Sequence, residues 1–200
     1  MKKTGKSRST GKTRSASRRV AQEICLYTSE ELQSIVNNMA RDALAWLPAP
    51  RDTVIVGIVR RGVPLAEMLA KRLAPLLGLR KVPRLDLTVK RYADDLTLLH
   101  PETQLVEEHG AAWHLYGKTV LLVDDILYQG HSLQCALNFL VRKGAACVRT
   151  AVLVDRCMAV LPVRADITGM RLAVAPADIV ECHVPPYEPH FQIMLVHRSP

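Results

Sequence analysis

The sequence has no C-x-x-C pair: its five cysteines, Cys25, Cys135, Cys147, Cys157 and Cys182, are odd in number and at least ten residues apart. That spacing excludes a disulfide framework and a zinc ribbon, and it points to a reducing, cytoplasmic compartment. The seven histidines include no H-E-x-x-H and none recurs at helical intervals, so no protein metal ligand is assigned among them. No apolar run approaches the roughly 20 residues that cross a bilayer. The N-terminus also lacks the apolar block of a signal peptide. The expectation is a soluble protein with no membrane partner.

Acidic residues are missing from residues 1–19, which hold Lys2, Lys3, Lys6, Arg8, Lys12, Arg14, Arg18 and Arg19. The formal net charge of +8, from 27 basic and 19 acidic groups, therefore sits entirely in this tail. The rest of the chain is neutral. A Ser-, Thr- and Gly-rich cationic tail cannot bury apolar area and is expected to be disordered. It either attracts phosphates in a salt-dependent way or is simply solvated. Its GKSRSTGKT is not a P-loop, because five residues instead of four separate Gly5 from Gly11 and no strand precedes it. Residues 20–200 are expected to form a single domain, large enough to remove about 70% of its unfolded surface from water.

Thr28 and Glu31 have capping-box spacing, and Leu32, Ile35, Val36, Met39, Ala43, Leu44 and Leu47 follow at helical intervals, predicting a helix over 29–47. The β-branched run TVIVGIV (53–59) predicts a strand covered on both faces. A helix with Pro64 in its first turn and Gly78 past its end follows. Further strands are expected at 82–89, 119–123 and 146–154, with a helix over 132–141. Alternation of this kind implies an α/β fold with a parallel sheet. Residues 90–117 form a connection long enough to be a functional flap. Short strands from about 160 to 200 are expected to form a cap, with room for a contribution from the N-terminal side.

The stretch VLLVDDILYQGHS (120–132) carries the chemistry. Asp124 and Asp125 follow an apolar strand, and the next turn leads into a helix N-terminus whose N–H groups and dipole suit a phosphate, with the Ser132 hydroxyl beside them. Two carboxylates there would repel a phosphate unless they served another part of the ligand. Vicinal ribose hydroxyls donate to carboxylates, and magnesium offsets the negative charge, so the pattern reads as sugar plus 5′-phosphate. A solvated acidic loop, or the magnesium pocket of a phosphoryl-transfer domain, is the alternative. A second strand-to-helix turn places Arg60, Arg61 and Gly62 where guanidinium and backbone donors could meet a second anion such as pyrophosphate.

With VGIVRRGVPLAEMLAKRL (56–73), RLDLTVKRYADDL (84–96) and AVLVDRCMAVLPVRADITG (151–169), that stretch resembles, in order along most of residues 24–197, the bifunctional pyrimidine-operon regulator and uracil phosphoribosyltransferase family. The resemblance implies the type I phosphoribosyltransferase fold: a parallel Rossmann-like sheet, a small hood and a mobile flap. It also implies the reaction uracil plus phosphoribosyl pyrophosphate (PRPP) giving UMP and pyrophosphate, with Mg²⁺ accompanying PRPP, and a homodimer or higher homo-oligomer. By likeness, Asp124 and Asp125 hold the ribose hydroxyls; Tyr128, Gln129, Gly130, His131 and Ser132 wrap the 5′-phosphate; Arg60, Arg61 and Gly62 meet pyrophosphate. Arg91 closes over the site from the flap, and Ile167, Gly169 and Met170 face the base.

The chain departs from the family in places. Its phosphate loop usually reads Y-T-G-R-T, and here Gln129 and His131 replace a hydroxyl and a permanent cation. Two extra residues precede Asp94 and Asp95 in the flap, and Met170 with Arg171 replaces a lysine-bearing hood pattern. The family's regulatory half binds RNA through a stretch resembling H-R-E-L-P-I-R-A-D, of which residues 158–166 keep one arginine, Arg164; the first helix adds Arg41. With Arg14, Arg18 and Arg19 in the tail, these define the alternative reading, an RNA-binding regulator that senses UMP or PRPP with little catalysis.

Overall fold

The computed structural model describes residues 22–48, 50–89, 104–106 and 115–197. The basic tail with Arg14, Arg18 and Arg19, and most of the expected flap with Arg91, Asp94 and Asp95, lie outside the described residues.

Strand β1 (Gln22–Tyr27) leads into helix α1 (Ser29–Ala43) through the expected capping box. The backbone N–H and the hydroxyl of Thr28 each donate to Glu31 Oε2 at 2.8 Å, which lowers the Glu31 pKa. The helix is shorter than the apolar spacing predicts: a 3-10 turn, Leu44–Trp46, tightens its end ahead of Pro48.

Strand β2 (Thr53–Ile58) is buried throughout and feeds helix α2 (Gly62–Leu76). After it come β3 (Arg84–Thr88), β4 (Gln104–Val106), β5 (Thr119–Leu127), helix α3 (His131–Arg142), β6 (Cys147–Asp155), β7 (Ile167–Arg171), β8 (Ile179–His183) and β9 (Gln192–His197). The main sheet has the order β4-β3-β2-β5-β6-β7, parallel except for β4, which runs antiparallel to β3. The second sheet, β1-β9-β8, is antiparallel and forms the cap, with β1 as its N-terminal contribution.

Two corrections concern the functional region. The strand expected over 119–123 runs to Leu127, so both aspartates lie on β5 and not beyond it. Its neighbour β6 is equally long and continues the pairing through Asp124 with Val152, Ile126 with Val154 and Leu127 with Asp155. Residues 167–171, expected in the cap, instead pair in parallel with β6 and form the edge of the main sheet.

Alternation along β5 distributes the core to both faces. Leu121 and Val123 pack with Leu32 and Val36 of α1, Leu65 and Leu69 of α2, and Ile193 of the cap. Val120 and Leu122 pack with Leu133, Ala136 and Leu140 of α3. Each leucine fully buried in this way contributes about 1.5–3 kcal/mol of transfer free energy. This covering on both faces leaves the carboxyl ends of the strands as the place for polar chemistry.

Candidate active site

At the end of β5, Asp124 is buried at 6% exposure while Asp125 is half-buried. Asp124 Oδ1 accepts the Asp125 backbone N–H at 2.9 Å, which fixes the first carboxylate at the base of the following turn. Gly130 closes that turn with φ of +93°, as N-cap of α3. A side chain there would be strained twice, because a Cβ would also lie 2.4 Å from Val163 Cγ2. The segment pressing on Gly130 is tied down by the Val160 N–H, which donates to the Gln129 carbonyl at 3.1 Å. The result is a cup of about 170 Å³ lined by Asp124, Ile126, Leu127, Tyr128, Gln129, Gly130, His131, Ser132, Leu133 and Val152. All five residues expected at the 5′-phosphate are brought together there with Asp124. The first N–H groups of α3 have no acceptor within the helix and supply the donors an anion requires.

The turn after β2 reaches the same place because β2 and β5 pair in parallel, Gly57 opposite Val123. Gly62 begins α2 so close to β5 that a Cβ would lie 2.6 Å from the Val123 carbonyl oxygen and 3.3 Å from Asp124 Oδ1. Only glycine permits that approach. Arg60, Arg61 and Gly62 therefore stand beside the acidic pair.

Both arginines already have partners in the cap. Arg61 Nε donates to Glu188 at 3.2 and 3.3 Å and its Nη2 at 2.5 Å. The Arg60 guanidinium lies 4.9 Å from the centre of the Tyr187 ring. The hydrogen bonds that Arg61 donates to Glu188, helped by the charge of Asp125, raise the Arg61 pKa. The same bonds hold the Glu188 carboxyl below its ordinary range. Beneath Asp125, the Cys182 thiol is 3.9 Å from its carbonyl oxygen, and burial pushes that thiol well above the ordinary cysteine range.

Three residues were missed from sequence: Tyr187, Glu188 and Arg156. Arg156 follows β6 directly, is 5% exposed, lies 5.3 Å from the centre of the Tyr128 ring, and donates from Nη2 to the Asp178 carbonyl at 3.3 Å. Its place just past a strand's carboxyl end was a usable signal. Tyr187 and Glu188 carried none, since only tertiary packing sets them on the arginines.

Ile167, Gly169 and Met170 are not brought to the cup. They line a separate cavity of about 540 Å³ along β7, with Asp42 and Trp46, and Ile167 and Met170 are buried in the core. Arg41 and Arg164 are exposed. Trp46 packs under the Arg149 guanidinium, 4.9 Å from the ring centre. Among the described residues no group of three or more His, Cys, Asp or Glu could hold a metal. Magnesium held by one carboxylate and substrate phosphates needs no such group, and Asp124 at the cup could supply that carboxylate. Among the same residues, no helix is long and apolar enough to cross a membrane.

The phosphoribosyl transferase domain family matches residues 28–189 of the chain. A curated protein from Deinococcus radiodurans named Bifunctional protein PyrR is 33% identical over 162 residues, covering 80% of this chain and 87% of that protein. Another of the same name, from Haemophilus ducreyi, is 31% identical over 179 residues, covering 88% of this chain and 98% of its own. Among solved structures, a variant hypoxanthine phosphoribosyltransferase from Trypanosoma cruzi in a ternary substrates complex is similar with a TM-score of 0.67 and 19% identity, covering 90% and 96% of the two chains. That last likeness speaks for the fold alone.

Proposed function

The chain belongs to the phosphoribosyltransferase family, with PyrR-type proteins as relatives, and from that premise we propose that it transfers the phosphoribosyl group of PRPP to uracil, giving UMP and pyrophosphate. The observation that carries this reading is the meeting of two strand-to-helix turns at one acidic pair, with Gly62 backbone against Asp124 and the cup of residues 128–132 beyond it.

In this reading Asp124 and Asp125 accept the ribose hydroxyls, and the α3 N-terminus with Ser132 holds the 5′-phosphate. Arg60 and Arg61 hold pyrophosphate while its bond to the sugar breaks and the bond to the base nitrogen forms. Positive charge develops on the ribose ring as pyrophosphate leaves, so two fixed carboxylates near the sugar stabilise the transition state more than the ground state. Magnesium, when bound with PRPP, neutralises charge on the leaving group. Arg91 from the flap is proposed to close over the site and exclude water. Uracil as the base rests on the family likeness; base contacts through Ile167, Gly169 and Met170 would require the ligand to reach the β7 edge. The odd number and wide spacing of the cysteines support a reducing, cytoplasmic setting, and a homodimer or higher homo-oligomer is proposed by likeness.

Incubation with PRPP, magnesium and a panel of bases should yield UMP from uracil and no nucleotide from the others. Failure to form product from any base would sink the enzyme reading. The replacement of a permanent cation by His131 favours a second reading, in which the protein senses UMP or PRPP and binds RNA through Arg41, Arg164 and the tail arginines. It requires UMP-enhanced preference for a structured pyrimidine-operon leader over random RNA, retained after removal of residues 1–19.

A further inference from the structure

The pyrophosphate turn contains no idle guanidinium among its two. Arg61 presents Nε and Nη2 as a fork to the Glu188 carboxylate, the geometry in which arginine also takes a phosphate. Glu188 has a further tie: its Oε2 accepts the Val184 N–H at 2.8 Å, four residues back, which closes the cap turn between β8 and β9 on itself. The neighbouring Tyr187 lies under Arg60. Consecutive cap residues thus occupy consecutive arginines of the turn.

We propose that Glu188 is a resident carboxylate that competes with pyrophosphate for Arg61, so that binding of the leaving group and docking of the cap turn are mutually exclusive at that guanidinium. The inference rests on the assignment of Arg60, Arg61 and Gly62 to pyrophosphate. Physically, one planar fork satisfies one bidentate anion at a time. Glu188 lies on the cap and Arg61 on the main domain, so exchange of partners frees the turn at residues 184–188. PRPP binding then proceeds against a built-in competitor, and release of pyrophosphate is assisted by the carboxylate's return. Glu188 is accordingly a positioning residue that acts through Arg61.

A plain structural strap makes a different forecast, and the full-length chain can distinguish them. Glu188→Gln keeps an oxygen for the Val184 N–H but removes the charge from Arg61, while Glu188→Asp keeps the charge. Magnesium pyrophosphate should bind about fivefold tighter to Glu188→Gln than to wild type, the scale of a partly exposed ion pair. UMP, which engages the other turn, should bind all three proteins alike, and Glu188→Asp should track wild type for both ligands. Hydrogen exchange reads the same event without a substitution: Val184 amide protection in the wild-type chain should fall on adding magnesium pyrophosphate and stay unchanged on adding UMP. Equal or weaker pyrophosphate binding by Glu188→Gln with UMP binding intact, or Val184 protection indifferent to pyrophosphate, overturns the competition while leaving the phosphoribosyltransferase reading in place. Absence of both pyrophosphate and UMP binding in every protein overturns that reading and the competition with it.

Discussion

The turns after β2 and β5 both follow a parallel strand and enter a helix N-terminus, yet the one at residues 128–132 carries no permanent cation whereas the other carries Arg60 and Arg61. Around Gly130 the geometry is fixed by backbone, with φ of +93° and a neighbouring side chain where a Cβ would go. At the β2 turn the backbone of Gly62 abuts β5, but the charge is in two guanidinia that are already engaged by Tyr187 and Glu188. One turn presents backbone donors; the other would have to exchange partners to take an anion. Substitutions of backbone geometry should therefore cost most, and substitutions of charge should act by degrees.

The largest effect is expected from Gly62→Ala. Its Cβ would meet a backbone carbonyl at 2.6 Å, which cannot rotate away, so overpacking should cost about 2–3 kcal/mol in urea denaturation and remove activity. Gly130→Ala meets a side-chain methyl instead but also sets an L side chain at φ of +93°, and should likewise lose about 1–3 kcal/mol. Unchanged stability at either position would show that the close approach there yields without cost. Asp124→Asn and Asp125→Asn come next: each should lower kcat/KM for UMP formation about 100-fold, the scale of one lost transition-state contact, with the far-UV spectrum unchanged.

A smaller, pH-dependent effect is expected from the Arg61 to Glu188 link. The Glu188 carboxyl titrates lower in the folded chain than in the unfolded one, so its contribution to stability is present above the unfolded pKa and is lost as pH falls through the folded value. Because the Arg61 side chain is 37% exposed, the difference between wild type and Glu188→Gln should stay below about 1 kcal/mol at pH 7. It should vanish only once pH falls below the folded value, which itself lies under the ordinary glutamate range. A difference that grows toward low pH contradicts the sign. His131→Arg should have the smallest effect, tightening UMP about threefold while costing a few tenths of a kcal/mol, because a cation opposes the dipole at the start of α3. Tightening without that cost would mean the side chain acts away from the helix end.

Local signals in the sequence located the helices, the buried strands and the acidic pair. The capping box at Thr28 and the glycine before α3 are properties of a few consecutive residues, and they read correctly. What was not legible depends on partners far along the chain. Strand β5 runs through Asp124 and Asp125 because β6 continues beside it, and residues 167–171 join the main sheet because the edge of β6 was open to them. In isolation, that mixed polar and glycine-containing stretch resembles the cap strands. Arg156 could have been found by its place after β6, whereas Glu188 acquires meaning only when the cap folds back onto Arg61.

The acidic pair on β5 and the two adjoining turns are proposed to hold one phosphoribosyl pyrophosphate. Calorimetric titration of that ligand with magnesium into the wild-type chain and the Asp124→Asn, Asp125→Asn double variant tests it most directly. Saturable one-to-one binding is expected for the wild type, weakened at least about tenfold in the variant by the lost charge-assisted hydrogen bonds. Equal affinity in the two proteins, or no heat from the wild type at millimolar ligand, would contradict it.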